Sequence, residues 1–329
     1  MARPQIGYAA MLEQFGPTEL LDFCRVAEAN GFSGVMAADH VQPWVPQQGQ
    51  AAFVWSFMTA AAEHTKGDIG PGVTCPSFRQ HPAIIAQAAA TMAAMYPGRF
   101  WLGLGSGEAL NEHIVGGYWP EPAERIARMF EAIEIIRKLF TGTDVKHSGP
   151  FYKMETMRLW TMPAEPPPIY VATAGTITAE RTGRLCDGII TVGAAESKIE
   201  TIFHHFSEGA RRANRDPSKM PKIIQIHLSW AETDEQALQN ALIEWPNGGM
   251  KFPKQDIRSP HDFEQMAKLV RPEDFEGRML ISSDLEAHRR EIQKYINLGF
   301  DRVYLHNVGR NQREWAEAFG REVLPGLTA

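Results

Sequence analysis

Ala37-Ala38-Asp39-His40-Val41-Gln42-Pro43-Trp44 sets an acid, a histidine, an amide and a tryptophan close together, directly after the apolar run Gly34-Val35-Met36. Histidine as a residue type exchanges protons near neutral pH, so His40 suits general acid or base work. A surface loop has no use for the tryptophan, and a buried strand does not tolerate an Asp-His pair without partners. The stretch therefore reads as the end of a strand, where chemistry begins. A second group lies in Gly103-Leu104-Gly105-Ser106-Gly107-Glu108, with Asn111 one turn further on. A carboxylate directly ahead of a helix start either answers the helix dipole or serves as a catalytic acid, and the nearby Asn111 favours the second. The glycine run is not a phosphate loop, because no Gly-Lys-Ser/Thr closes it, and its spacing differs from a dinucleotide fingerprint. Metal binding by Asp39, His40 and His113 is disfavoured, since neighbours on a strand point to opposite faces and no His-x-His pair follows the first strand.

Such residues need a frame that brings distant segments together. Short apolar, β-rich runs alternate with helical patterns along the chain. Ile6-Gly7-Tyr8-Ala9-Ala10 precedes a helix that Pro17 begins and Gly31 ends, with Leu20, Leu21, Cys24, Val26 and Ala27 on one face. Further strands are expected at GVMAADH, IGPGVT, FWLGLGSG, PIYVATAG, GIITVG, IIQIHLSW and RVYLHNVG, making eight with the first. They are too apolar for a sheet with one solvated face, as expected of a parallel sheet covered by helices. Eight β/α units in 329 residues predict a (β/α)8 TIM barrel, one domain over residues 1–329. A doubly wound sheet is the structural alternative, but no glycine fingerprint opens its first helix.

Segments 141–167 and 243–276 exceed a plain barrel and are expected to cover its active face. That face is built from the C-terminal strand ends, and polar groups and glycines collect there. Asp39-His40 ends the second strand, Thr74-Cys75-Pro76 the third, Thr173-Ala174-Gly175 the fifth and Val192-Gly193 the sixth, with His227 near the end of the seventh.

Composition narrows the partners. The chain is 44% hydrophobic and 22% charged with a net charge of −6 and no Lys/Arg-rich run, which argues against nucleic acid or an anionic membrane surface. MARPQIGYAAMLEQF lacks the apolar core of a signal peptide, and no apolar run approaches a membrane helix. Cys24, Cys75 and Cys186 have no metal-like spacing and read as reduced thiols of a cytosolic protein.

Four pieces occur in order along most of the chain: Ala38-Asp39-His40 with Gln42-Pro43-Trp44, TCPSFRQHPAIIAQ from Thr74, GRFWLGLGSGEALNEH from Gly98, and TGRLCDG from Thr182. With them the chain resembles the luciferase-like flavin and deazaflavin oxidoreductases, and within these the coenzyme F420-dependent glucose-6-phosphate dehydrogenase branch. The resemblance implies cofactor contacts from Asp39 and Asn111, and a bulge at Gly72-Val73 behind the deazaflavin ring, often through a non-proline cis peptide. Cys75, Ser106 and Gly107 match further cofactor positions, as do Ala174, Gly175, Ile177 and Thr178, with Val192 and Gly193 beyond them.

His40, Trp44 and Glu108 match the family's catalytic trio. Moving hydride from a carbinol carbon to the deazaflavin requires removal of the hydroxyl proton, a task for His40. Glu108 would manage a second proton, and Trp44 would shield the developing carbonyl. Sugar-phosphate members hold phosphate with a lysine after the sixth strand and a Lys and Arg in the late insertion. Lys254 and Arg278 match the latter pair, whereas Lys198 arrives about three residues late, beside Glu196. A phosphate cradle short of one cation is weakened, so the expected substrate is a hydroxylated small molecule other than glucose 6-phosphate. The alternatives are glucose 6-phosphate itself, an FMN-dependent monooxygenase, and a deazaflavin carrier without activity. A homodimer is implied by the resemblance alone.

Overall fold

The structure, a computed structural model, describes residues 5–328. Eight strands form the barrel wall: β1 (Gln5–Ala10), β2 (Gly34–Ala37), β3 (Asp68–Pro71), β4 (Leu102–Leu104) and, after a hairpin of β5 (Val145–Ser148) and β6 (Lys153–Met157), β7 (Ile169–Ala172), β8 (Gly188–Val192) and β9 (Lys222–Ser229). A two-residue strand β10 (Leu280–Ile281) precedes the eighth wall strand, β11 (Arg302–Asn307). The wall runs β3-β2-β1-β11-β9-β8-β7-β4, and every neighbouring pair is parallel. Between β3 and β4 the ring closes through isolated bridges, Ile69 with Phe100 and Thr74 with Leu104. Gly103 permits that seam, because a Cβ there would sit inside the carbonyl oxygen of Pro71.

Helices cover the wall: α1 (Pro17–Ala29), α2 (Val54–His64), α3 (Pro82–Met95), the short α4 (Ala109–Glu112), α5 (Pro122–Leu139) and α6 (Thr176–Leu185). The later ones are α7 (Glu196–Arg212), α8 (Asp234–Glu244), α9 (Pro260–Ala267), α10 (Leu285–Asn297) and α11 (Gln312–Ala318). Proline opens α1, α3, α5 and α9, where its missing N–H leaves no bond unmade. Strand alternation then sorts the core into two shells. Val35, Ala37, Val303 and Leu305 face the helices, whereas Met36, Trp101, Tyr170 and Tyr304 pack together in the other shell, the barrel interior.

Three details concern the site, and the first differs from the sequence expectation. The third strand ends at Pro71 rather than Thr74, because the Gly72–Val73 peptide is cis and the chain leaves the ladder there. Thr74 rejoins the seam by donating its N–H to Gly103 O at 2.9 Å. Segment 141–167 is an antiparallel hairpin held against α5, with Glu131 accepting from the backbone N–H groups of Phe151 and Tyr152. Its Tyr152 hydroxyl donates to the carbonyls of Pro76 and Ser77. Segment 243–276 instead docks beside Trp44: Phe263 packs edge-on against that indole, and Met250 joins Val45 and Leu110 in a small apolar cluster.

Candidate active site

The strand ends surround a cavity of about 590 Å³, lined by residues from every barrel strand or the loop that follows it, apart from β11. Its wall includes Asp39, His40 and Trp44 after β2, and Gly72, Val73 and Cys75 after β3. Ser106, Gly107, Glu108 and Asn111 continue it after β4, and Ala174, Gly175 and Thr178 after β7. Val192 reaches the wall from β8, and Trp245 and Gln255 reach it from segment 243–276. No residue of 141–167 lines it.

Asp39 is buried and held from two sides. Thr74 Oγ1 donates to its Oδ2 at 2.8 Å, and Arg79 Nη2 lies 3.1 Å from its Oδ1. The same guanidinium approaches Glu112 Oε1 at 3.2 Å, and the Arg79 N–H donates to Glu112 Oε2 at 3.0 Å. Burial opposes the charge on Arg79, but the two carboxylates hold its pKa above the usual arginine value. For Glu112 burial wins, and the carboxyl stands above its ordinary range despite Arg79. One guanidinium thus ties the end of β2, the loop after β3 and α4 into a single unit.

That unit sets His40. Asn111 Oδ1 accepts from the N–H groups of Val41 and Gln42 at 3.0 and 3.4 Å, which fixes its amide so that Nδ2 faces His40 Nδ1 at 3.1 Å. The Gln42 carbonyl lies 3.1 Å from the same ring nitrogen, and Glu13 Oε1 lies 3.6 Å from Nε2. Bare, Nδ1 accepts from the Asn111 amide; protonated, it donates to the Gln42 carbonyl and leaves Nε2 with a free lone pair, the form of a base. Uptake of a second proton at Nε2 then meets the Glu13 carboxylate. Trp44 lies against the ring, centroids 5.1 Å apart at 50°.

Glu108 N-caps α4 without bonding a backbone N–H through its side chain, and its buried Oε2 has no hydrogen-bond partner. Burial pushes this carboxyl above the ordinary glutamate value, partly offset by His40 and Lys254. A carboxyl so placed keeps a proton more readily and can donate it. Gly107 before it has φ +82°, and a Cβ would stand 2.7 Å from Cys75 Sγ. Cys75 itself is buried, and burial pushes its thiol well up, so it acts as wall rather than nucleophile.

The other candidates lie outside the lining. Ile177 is 76% exposed on the first turn of α6, a position whose helix face differs from that of Gly175 and Thr178. Gly193 is half-buried beside the Tyr295 hydroxyl, and Lys198 is exposed in the first turn of α7. Lys254 and Arg278 stand behind the wall at Gln255, donating to the carbonyls of Asn247 and Met250 respectively. Burial pulls the Lys254 ammonium down, Glu108 opposes this, and Arg278 is close enough to add to it.

His227, placed by sequence near the end of the seventh strand, lines the wall, and Glu13, Gln225 and Trp245 are wall residues that the sequence reading does not single out. Glu13 carries a visible signal, a lone carboxylate just past the end of β1, where the strand-end rule already selects residues.

A family model described as luciferase-like monooxygenase matches residues 1–302. F420-dependent glucose-6-phosphate dehydrogenase 2 of Rhodococcus jostii (strain RHA1) is 37% identical over 330 residues, covering 99% of this chain and 98% of its own. F420-dependent glucose-6-phosphate dehydrogenase of Mycolicibacterium smegmatis is 36% identical, with 99% of each chain covered. The solved structure of an F420-dependent secondary alcohol dehydrogenase, in complex with an F420-acetone adduct, superposes with a TM-score of 0.93 at 32% identity, both chains covered completely.

Proposed function

The chain belongs to the luciferase-like monooxygenase family and is a coenzyme F420-dependent dehydrogenase acting on CH–OH groups, and on that premise we propose that its substrate is a sugar 6-phosphate. The observation that carries the substrate reading is the Lys254–Arg278 pair. Two cations stand close together beside the cavity, each bonded to a carbonyl, with no carboxylate at ion-pair distance among the described residues. Lys254 is half-buried and Arg278 exposed, and like charges held near one another favour an anion between them. The names of the curated relatives point the same way. Lys198, whose displacement favours another alcohol at the level of sequence, stands in the first turn of α7, apart from the other two, and has no part in this reading.

The residues fit the cofactor. Gly72, Gly105 and Gly107 leave the floor without side chains, and open space stands where a Cβ of Gly175 would be. Asp39, Ser106 and Asn111, together with Gly72, Val73, Ala174, Gly175 and Thr178 of the same wall, would hold the group. When bound, F420 supplies the carbon that accepts hydride. His40 takes the hydroxyl proton at Nε2, and Glu13 faces the resulting imidazolium. Glu108 holds a proton near the reacting carbon, and Trp44 with Trp245 excludes water from it. One barrel domain over residues 1–329, a homodimer and a cytosolic location go with this reading.

A simple secondary alcohol is the second reading, favoured by the turn Gly193-Ala194-Ala195, which carries no cation. Loss of the oxidised deazaflavin's absorbance with glucose 6-phosphate or with 2-propanol separates the two. For the sugar phosphate, Arg278→Ala should raise KM about tenfold or more, as loss of a charged hydrogen bond does. An unchanged KM overturns the phosphate assignment.

A further inference from the structure

The interior carries a hydrogen-bond chain that the mechanism above does not use. β9 and β11 are neighbours in register, with His227 opposite His306. His227 Nδ1 and His306 Nδ1 are 2.8 Å apart, and His306 Nε2 lies 2.7 Å from Gln14 Oε1. Gln14 Nε2 donates to the Val308 carbonyl at 3.0 Å. A carbonyl only accepts, so this last bond fixes the Gln14 amide with its oxygen toward His306. The oxygen in turn requires the His306 proton on Nε2. His306 Nδ1 is then bare and must accept, so the proton between the two rings belongs to His227 Nδ1.

The consequence falls on the far side of the His227 ring. With its one neutral-state proton committed to His306, His227 presents a bare lone pair at Nε2. Nε2 has no protein partner among the described residues, and His227 lines the cavity. The ring packs tilted against Trp245, centroids 5.0 Å apart at 34°. The Lys254 ammonium acts on both His227 and Glu108, which places all three at one end of the cavity. Burial pushes His227 down to about 4, so the ring remains neutral across the working pH range.

We infer that His227 is a positioning residue: its Nε2 accepts a hydrogen bond from a second substrate hydroxyl, one that is not oxidised, so that the site selects polyols over mono-alcohols. This rests on the dehydrogenase reading and specifies the substrate class beyond it. Selection follows because an acceptor that a mono-alcohol leaves unpaired counts against that substrate.

The test uses the full chain with F420. Initial rates with 1,2-propanediol and 2-propanol are measured for the protein and for His227→Phe, which retains a ring against Trp245 but has no acceptor. The expected result is a diol preference in kcat/KM that collapses about fivefold to tenfold in His227→Phe, mostly through KM for the diol. F420 affinity, read by fluorescence, checks that the variant is folded. An absent diol preference, or one unchanged in the folded variant, overturns the inference. Long-range 1H–15N spectra of the wild-type protein test it independently of any variant: His227 should carry its proton on Nδ1, and a proton on Nε2 at neutral pH overturns it. Glucose 6-phosphate turnover is scored separately, so failure of the phosphate reading does not resemble failure of this one.

Discussion

At the scale of single residues, the site is a set of buried ionisable groups that differ in how well they are paired. Asp39 and Glu112 share Arg79, whereas Glu108 keeps an unpartnered oxygen out of solvent. Ionising Glu108 is therefore costly to the folded state, and linkage gives the sign. A carboxyl raised above its unfolded value stabilises the fold below about pH 4.5, and that contribution is lost as pH climbs through the raised value. Glu108→Gln removes the ionisation. It should raise the Tm at pH 8 and leave little difference near pH 4, followed by thermal unfolding at both pH values. The same variant should lose roughly 100-fold or more in kcat, the ordinary share of a general acid. A lower Tm at pH 8 would show that the carboxylate is stabilising where it stands. Such residues were partly legible: Asp39, His40 and Glu108 sit where strand-end reasoning looks, and Glu13, just past the end of β1, obeys the same rule but belongs to no motif. Arg79 reads in sequence as a loop cation, since nothing local says that two carboxylates await it.

At the scale of elements, the barrel wall followed from alternating apolar runs and helical periods, because burial on both faces leaves a strong pattern. The pattern fails where a strand is interrupted by geometry rather than polarity. IGPGV has no polar side chain, yet β3 stops at Pro71 and the seam to β4 is made by bridges. The His227–His306 pair is likewise invisible, since only the adjacency of β9 and β11 brings residues 79 positions apart into contact. What joins the site's separate elements is Arg79, and its loss can be weighed. Arg79→Met leaves the buried carboxylates of Asp39 and Glu112 facing each other without a cation, a change that costs about 3–5 kcal/mol when a buried pair is broken. Urea unfolding should show a midpoint lowered accordingly with an unchanged m-value. Arg79→Lys should recover only part of this, because an ammonium cannot span both carboxylates as the planar fork does. Equal stability of the methionine variant and the parent would mean that the three elements are held by packing alone.

At the scale of the whole molecule, the cavity and the buried carboxylates of Glu13, Asp39 and Glu108 lie at one end of the barrel, joined there by segment 243–276. The opposite end is sealed: Asp68 accepts from the Tyr304 hydroxyl at 2.9 Å and pairs with Arg302 at 2.8 Å, beneath the Trp101, Tyr170 and Tyr304 rings. Stability and function are thereby separated along the barrel axis. A ligand that fills the open end binds the native state and not the unfolded chain, so it must raise stability by mass action. At a free concentration of about 100 times its Kd the gain is about 2.7 kcal/mol. F420 should therefore raise the Tm in a concentration-dependent way, while FMN at the same concentration should leave it unmoved. The F420 shift should survive in His40→Ala, because His40 meets the substrate hydroxyl rather than holding the cofactor, even as turnover falls. Loss of the shift in that variant would place His40 among the groups that bind the ring. A shift with FMN and none with F420 would overturn the assignment of cofactor, and with it the reaction built on the Gly72–Val73 floor.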